Sequence, residues 1–518
     1  MKRALCFHSL LFSIYPIFAL YSYNIDQVHF GEIQRSLEIS LCCTVTMLLV
    51  FQIILRDWKR SSLVVSLIII LFYTYGHAYQ TLEGKSIFGI WIGRADYLAA
   101  LWATVLIIGP WWIIRILKKT DDLTRFLNTV AVVALIIPGY HILAYKFNNP
   151  NASGLEYLYQ VEDLVSSTSA QPSSTPDIYY IILDGYGRTD VLDAIYNYDN
   201  SEFIDFLKKN GFYIAENSHS NYAQTALSLS SSLNFEYINE LGDFLNKGST
   251  NRDPLVQLIR NDKIQTILKA KGYQFIALAS GYSVTELNNA DVYLASSEKL
   301  NSFESMLISD SAAVLWLNYI SPKWYRERIL NAFQTLANMP DIQSPKFVFA
   351  HILVPHPPFV FGANGEVIAP KSFKEGNYYN GTREEYIAGY RDQITYINKL
   401  AEEAIRGILL HSGKDPIIIV QGDHGPGSSL NWDLLEQGCF KERMSILNAY
   451  HLPGNLEEKL YASITPVNTF RFILDEYFGA KLGLIDDRSY FSRWNEPYDF
   501  IDVTGMSNSC SDTITNNY

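Results

Sequence analysis

Five apolar stretches fill the first 146 residues and constrain the fold more than any other feature of this chain. They are Ala4–Tyr21, Leu37–Leu55, Leu63–Tyr79, Tyr97–Ile116 and Phe126–Tyr145. Each approaches the ~20 residues that a membrane-spanning helix needs. Buried helices of a soluble domain are the alternative, but five in succession with short charged loops favour a membrane. We therefore predict a transmembrane region of five helices over residues 1–146.

The first of these stretches has two interpretations. Lys2 and Arg3 precede its apolar core, as they would in a secretory signal peptide. The following "FALYSYN" offers no good small-residue cleavage site, so we predict a retained helix.

The charges differ between the two parts of the chain. Residues 1–146 hold 13 Lys and Arg against 8 Asp and Glu, and the remainder holds 28 against 45. The acidic second part argues against nucleic-acid binding, which needs a basic face. One side of the predicted membrane region collects Lys2, Arg3, Arg56, Lys59, Arg60, Arg115, Lys118, Lys119 and Arg125. The positive-inside rule places that side in the cytoplasm. We predict a multi-pass protein of the inner (plasma) membrane, with everything after Tyr145 extracytoplasmic.

The exported part alternates strand patterns with helical patterns. We predict a linker over 147–176, which ends in the polar "SSTSAQPSSTP", then an α/β domain over 177–480 and a C-terminal tail over 481–518. The alternation indicates a mostly parallel central sheet. Cys439 and Cys510 lie in this part, where an oxidising compartment permits a disulfide, although sequence alone gives no distance between them.

An acid and an imidazole stand side by side where one apolar strand ends. In "DPIIIVQGDHGPGSS", Ile417–Val420 is typical of a strand buried on both faces, and Asp423 and His424 follow it. Glycine and aspartate often end strands, so this motif alone is weak. Asp184 ends an earlier strand in "DIYYIILDGYG". Ligands gather at the carboxyl ends of parallel strands, so these three residues form a candidate site for a divalent metal.

A candidate nucleophile lies between those two strands. Thr225 stands where a strand gives way to the helical pattern "ALSLSSSL". A helix N-terminus favours anionic groups, and a hydroxyl bound to a divalent metal there loses its proton more easily. Simple N-capping is the alternative interpretation.

The order of these motifs resembles the alkaline phosphatase superfamily. The motifs are "DIYYIILDGYGR", a threonine about forty residues later, "HILVPHPPF" and "VQGDHG". With its five predicted helices, the chain is similar to membrane-anchored sulfatase-like enzymes such as lipoteichoic acid synthases and phosphoethanolamine transferases. The resemblance implies that Asp184, Thr225, Asp423 and His424 bind one divalent metal, Mn²⁺ or Zn²⁺, and that Thr225 attacks the substrate.

The same resemblance extends to two histidines and has limits. It implies that His356, and less strongly His351, contact the substrate, although each could be a structural hydrogen-bonding residue. The chain lacks the C/S-x-P-x-R sequence that matures to formylglycine, because "TALSL" has neither proline nor arginine. Arg443 and His451 are weaker candidates, since an ordinary salt bridge or helix cap explains either.

The resemblance implies a metal-dependent enzyme of the cell envelope. Our leading hypothesis is a transferase of a phosphoethanolamine- or phosphoglycerol-type group, from a membrane lipid or lipid-linked donor onto an envelope glycan or lipid. A hydrolase of phosphate or sulfate esters with the same fold is the first alternative. A non-catalytic membrane scaffold in envelope assembly is the second.

Overall fold

The computed structural model divides the chain into two compact units. It describes residues 5–26, 28, 30–82, 86–87, 90–91, 94–148, 165, 175–295, 300–317, 321–368, 379, 381–432, 438–506 and 510. The first unit comprises Met1–Asn151, Leu300–Ser321 and Phe373–Glu375, and the second comprises the rest. Most of the predicted linker, 147–176, lies outside the described residues.

The first unit contains five helices at the positions of the apolar stretches. They are α1 (His8–Tyr23), α2 (Phe30–Leu55), α3 (Trp58–Leu82), α4 (Ala95–Arg115) and α5 (Thr120–Asn148), and a short hairpin of β1 (Ser86–Ile87) and β2 (Ile90–Trp91) joins α3 to α4. Among the described residues, α2 to α5 are long and apolar enough to cross a membrane. Helix α1 has 16 residues, short of the ~20 that a span needs. The five predicted helices are confirmed, with α1 shorter than the other four, and the number of membrane spans stays a prediction.

A segment from the exported part packs within this helical unit. This returning segment, Leu300–Ser321, carries α12 (Ser302–Ser309) and α13 (Val314–Leu317). Glu304 forms an ion pair with Arg35 near the start of α2. Gln80 near the end of α3 donates to Asp310, at 3.0 Å. The start of α2 and the end of α3 therefore both contact the returning segment.

The predicted orientation has a direct test. A reporter enzyme that is active only in the export compartment should be active when fused after Pro150 and inactive when fused after Arg60. The physical reason is the positive-inside rule, because the basic loops resist translocation. Colony assays with both fusions measure it, and the reversed pattern of activity would overturn the orientation.

The second unit is built on a seven-stranded sheet. Its strands lie in the order β4 (Phe212–Ile214), β9 (Asn448–His451), β8 (Ile417–Gln421), β3 (Ile178–Leu183), β7 (Lys346–Ile352), β5 (Gln274–Leu278) and β6 (Val292–Leu294). The strands from β8 to β6 are parallel, whereas β9 and β4 run antiparallel to their neighbours. All residues of β3, β7 and β8 are buried, which explains their continuous apolar runs. The predicted α/β fold with a mostly parallel sheet is confirmed.

Helices cover both faces of this sheet. They are α6 (Thr189–Tyr196), α7 (Ser201–Lys209), α8 (Thr225–Asn234), α9 (Leu241–Leu245), α10 (Asp253–Arg260), α11 (Lys263–Ala270), α14 (Ser321–Ala337), α15 (Arg383–His411), α16 (Phe440–Met444) and α17 (Pro466–Phe478). The long helix α15 starts at a capping box, in which Thr382 accepts from the Glu385 backbone and the Glu385 side chain accepts from Thr382 N–H. Its apolar face, with Tyr390, Ile394 and Ile397, is fully buried.

The predicted C-terminal tail contains ordered structure. Strands β10 (Tyr490–Arg493) and β11 (Glu496–Asp502) form an antiparallel hairpin. Cys510 forms a disulfide with Cys439, which answers the question that the sequence left open. The disulfide joins the tail to the segment that precedes α16. Residues 511–518 lie outside the described residues.

Candidate active site

The candidate site lies at the carboxyl ends of neighbouring parallel strands. Ile182 of β3 pairs with Gln421 of β8 on one side and with His351 of β7 on the other. Asp184 directly follows β3, and Asp423 comes two residues after β8. The parallel register therefore brings these side chains to one edge of the sheet, where α/β folds bind ligands.

Three of the predicted metal ligands converge at this edge. Ligand atoms of Asp184, Asp423 and His424 all lie within 4.8 Å of one another, and all three side chains are buried. His424 Nε2 lies 3.5 Å from Asp184 Oδ1 and 3.3 Å from Asp423 Oδ2. Asp423 Oδ1 accepts a hydrogen bond from Gly185 N–H, at 3.1 Å, which orients the carboxylate.

The hydrogen bonding of these residues fits a bound cation. Asp184 Oδ1 and Asp423 Oδ2 are buried and accept no hydrogen bond from the described residues. His424 Nδ1 lies 2.9 Å from Gly425 O. Because a carbonyl only accepts, Nδ1 carries the proton and Nε2 keeps a lone pair. Two carboxylate oxygens and an imidazole nitrogen suit Zn²⁺ or Mn²⁺, and their charge calls for a cation.

The protonation states at neutral pH favour the same interpretation. Burial lowers the pKa of His424 to about 4, and Arg443 adds to this effect. Burial raises the pKa of Asp184, but His356, His351 and His424 outweigh it and hold that pKa well below its usual range. The site thus presents an ionised carboxylate and a neutral imidazole, the forms that bind metal.

The candidate nucleophile lies beside this cluster. Thr225 is the first residue of α8, and its Oγ1 lies 3.1 Å from His424 Nε2. Ser230 further along the helix donates back to Ala226 O, at 2.6 Å. Ser228 donates to the backbone carbonyl of Asp423, at 2.7 Å. Of these three hydroxyls, that of Thr225 is the one within hydrogen-bond distance of a candidate metal-ligand side chain. The catalytic role of Thr225 stays a prediction.

The two predicted histidines flank Asp184. His351 Nε2 lies 3.5 Å from Asp184 Oδ2, and its Nδ1 lies 2.9 Å from Thr285 Oγ1. His356 is held by its backbone N–H, which donates to Asp184 O at 3.0 Å. His356 Nδ1 lies 2.7 Å from Pro357 O, which fixes the proton on Nδ1 and leaves Nε2 available. The His356 and His424 ring centroids are 6.1 Å apart with an interplanar angle of 62°, so the two imidazoles lie edge to face beside Asp184.

The two weaker candidates, Arg443 and His451, lie at different places in the fold. Arg443 is buried at the site, where its Nε donates to Ala223 O at 2.8 Å and its Nη1 to Gly425 O at 3.1 Å. It therefore links the segment before Thr225 to the loop after His424. His451 lies at the opposite end of β8, where it pairs with Asp415, at 2.9 Å. Thr285 carried no sequence signal, because only the folded sheet brings it to His351.

Gly425 directly follows Asp423 and His424, and there is no space for a Cβ atom at its position. A Cβ on Gly425 would stand 2.1 Å from Glu442 O and 2.8 Å from Ser445 O. Both are backbone atoms, which cannot rotate away. Gly425 lets the loop that carries His424 pass against α16, and this explains the second glycine of "GDHG".

Comparisons with known proteins identify the second unit. A family model described as Sulfatase matches residues 176–470, more than half of the chain. No curated protein is similar to the chain in sequence. Among solved structures, the C-terminal periplasmic domain of EcEptC from Escherichia coli, in complex with Zn, is 12% identical with a TM-score of 0.43, over 66% of this chain and 97% of that chain.

Two further structures have similar values. The C-terminal periplasmic domain of the phosphoethanolamine transferase EptC from Campylobacter jejuni is 12% identical, with a TM-score of 0.39, over 61% of this chain and 96% of that chain. The integral membrane protein lipooligosaccharide phosphoethanolamine transferase A (EptA) from Neisseria meningitidis is 13% identical, with a TM-score of 0.38, over 90% and 94%. At these TM-scores, the likenesses carry no argument about substrate.

Proposed function

The chain belongs to the sulfatase family, and from that premise we propose that it transfers a phospho-group through Thr225 in a divalent-metal-dependent reaction. It is a sulfatase-like enzyme, either a phosphotransferase or a hydrolase. The proposed reaction moves a phosphoethanolamine- or phosphoglycerol-type group from a membrane lipid to an envelope glycan or lipid. It takes place on the extracytoplasmic side of the inner membrane.

One observation carries this proposal. The Thr225 hydroxyl, at the start of α8, lies 3.1 Å from His424 Nε2 in a buried cluster with Asp184 and Asp423. A threonine that only capped a helix would not need two buried carboxylates beside it, each with one oxygen that accepts no hydrogen bond from the described residues. A scaffold protein would gain nothing from burying such a cluster, because the unpaired charges destabilise the fold.

The residues around Thr225 define the first step. The Thr225 oxygen attacks phosphorus in line with the leaving lipid oxygen, so a Thr–O–P bond forms as the P–O bond to the lipid breaks. A divalent cation held by Asp184, Asp423, His424 and Thr225 would favour loss of the hydroxyl proton and offset phosphoryl charge. The backbone N–H groups at the start of α8 stabilise the equatorial oxygens. His356 Nε2 keeps a lone pair, so it accepts the proton that Thr225 loses and passes that proton to the leaving lipid oxygen.

The second step regenerates the enzyme. An acceptor hydroxyl attacks the phospho-threonine, the bond between Thr225 and phosphorus breaks, and the acceptor's proton leaves through the same histidine. Water in place of the acceptor would give hydrolysis by the same chemistry. The formylglycine route is not available here, since Thr225–Leu229 reads "TALSL".

An acceptor-dependence assay tests the transferase proposal against the hydrolase. The purified full chain in lipid nanodiscs should release diacylglycerol from phosphatidylethanolamine or phosphatidylglycerol and label an added lipopolysaccharide core or glycan. We expect release to increase with acceptor concentration, because acceptor attack completes the cycle. Mass spectrometry of the acceptor measures it. Free phosphoethanolamine or glycerophosphate at equal rates with and without acceptor would identify a hydrolase instead.

A further inference from the structure

Two half-buried tryptophans lie together beside the candidate active site. Trp432 follows His424 in the same loop. Trp494 lies in the turn between β10 and β11 of the C-terminal hairpin. Their ring centroids are 5.6 Å apart, with an interplanar angle of 57°. The hairpin lies beyond residue 470, where the match to the sulfatase model ends. The family relationship therefore assigns no role to Trp494.

An arginine lies against each of these rings. Arg443 Cζ is 5.4 Å from the Trp432 ring centroid, and Arg252 Cζ is 4.4 Å from the Trp494 ring centroid. The four side chains form a row, Arg443–Trp432–Trp494–Arg252, which we call the tryptophan platform. Two cationic groups at its ends favour an anionic ligand and repel an ammonium group.

Hydrogen bonds tie the platform to the catalytic centre at two points. Arg443 bridges Ala223 O and Gly425 O, which are two residues from Thr225 and one from His424. Gln224, directly before Thr225, donates from Nε2 to Ser492 O at 3.1 Å and to Arg493 O at 3.2 Å. The hairpin that carries Trp494 is thereby joined to the residue before the nucleophile.

Arg252 is a buried cation that a bound anion would stabilise. It is 1% exposed, and its Nη2 donates to Trp494 O at 2.7 Å. Its Nε and Nη1 have no hydrogen-bond partner, and it forms no ion pair with a carboxylate, within the part of the chain that the structure describes. A buried guanidinium without an anion is strongly unfavourable, so binding of an anionic group beside it would be correspondingly favourable.

A second buried atom near the platform, Gln224 Oε1, would be stabilised by a hydrogen-bond donor. Gln224 Oε1 accepts no hydrogen bond from any described residue. Its amide orientation is fixed, because its Nε2 faces the two backbone carbonyls of β10. A ligand that satisfies both Arg252 and Gln224 carries an anionic group and a hydroxyl group.

We propose that the tryptophan platform is the acceptor subsite and that it binds an anionic saccharide. This deepens the proposed function and rests on it. The exposed parts of the two indole rings contact the C–H groups of a sugar ring, the arginines bind its carboxylate or phosphate, and Gln224 accepts from a hydroxyl. A hydroxyl of the same saccharide then attacks the phosphorus on Thr225. The new P–O bond forms as the Thr–O–P bond breaks, and the proton of that hydroxyl leaves through His356.

A binding experiment without any donor tests the platform apart from the chemistry. The full chain in detergent micelles is titrated with methyl α-D-galacturonide and with methyl α-D-galactoside, which differ only at the carboxylate. Saturation-transfer NMR and tryptophan fluorescence report the affinity. We expect the galacturonide to bind at least about tenfold more tightly. Trp494→Ala should weaken galacturonide binding by about tenfold, because a stacked ring is lost.

Matched variants separate this role from a structural one. Trp494→Phe keeps a ring and should restore most of the affinity, whereas Asn495→Ala, an exposed neighbour in the same turn, should leave it unchanged. Arg252→Met should reduce the affinity for the galacturonide to that for the galactoside. If that variant unfolds, the Trp494 variants and the comparison of the two sugars still test the proposal.

Three results would overturn the platform: equal affinity for the two sugars, galacturonide binding that Trp494→Ala does not change, or a folded Arg252→Met that keeps the preference. If the platform proposal fails, a covalent phospho-adduct on Thr225 would still be detected. If no adduct forms on Thr225 but the galacturonide still binds, the proposed transfer through Thr225 would be rejected instead.

Discussion

Thr225→Ala is expected to lower kcat by roughly 10⁴-fold or more, with little change in KM. The hydroxyl makes its bond to phosphorus only in the reaction, so its removal affects the transition state and not substrate binding. The fold should persist, because Thr225 only begins α8, whose other buried side chains hold the helix in the core. Steady-state kinetics on the purified full chain measure the effect.

The covalent adduct gives this prediction its direct test. Wild-type protein stopped with acid during turnover should yield one phospho-peptide that mass spectrometry maps to Thr225. Ser232→Ala is the matched control, since that hydroxyl lies in the same helix and contacts Leu229 O, at 3.4 Å; its kcat should stay within about twofold of wild type. A label on Ser228 or Ser230 with Thr225 clean would show that the nucleophile is misplaced.

Asp423→Asn is expected to abolish metal-induced stabilisation while the metal-free protein stays folded. The amide oxygen can still accept from Gly185 N–H, so the loop keeps its anchor. The substitution also removes one of two buried carboxylates that lie close together, which relieves repulsion in the absence of metal. Metal at about 100 times its Kd stabilises wild type by about 2.7 kcal/mol, and this increment should disappear.

Thermal melts with and without Zn²⁺ or Mn²⁺, together with metal analysis after dialysis, measure this outcome. Asp415→Asn is the control, because Asp415 is an exposed carboxylate at the opposite end of β8. That variant should bind metal and respond to it as wild type does. Unchanged metal content in Asp423→Asn would remove Asp423 from the proposed ligand set.

The position of the candidate site could be predicted because its residues follow local sequence patterns. Asp184 and Asp423 each stand just after an apolar strand, and parallel strands necessarily bring their carboxyl ends to one edge. Thr225 could be placed because the strand-to-helix change is visible in the sequence. The structure places these residues together as the pattern required.

The rest of the site depends on contacts that no local pattern records. Arg443 has the ordinary sequence context of a short surface helix, yet it is buried between Ala223 and Gly425. Trp494 lies 62 positions after Trp432, in a hairpin that the sequence suggested only as a tail. Apolarity predicted the helix at α1 correctly, but it did not predict that this helix is shorter than the other four.

The returning segment changes what counts as a faithful fragment of this enzyme. Phe303 is fully buried against Ile17 and Ile33, and Val314 is buried with Tyr75 and Leu98. Expression of residues 175–518 alone would strip these apolar side chains of their partners and expose them to water, which promotes self-association. The helical region is thus a folding partner as well as a tether. Soluble truncations made for crystallisation or inhibitor screening should carry polar replacements at Phe303 and Val314.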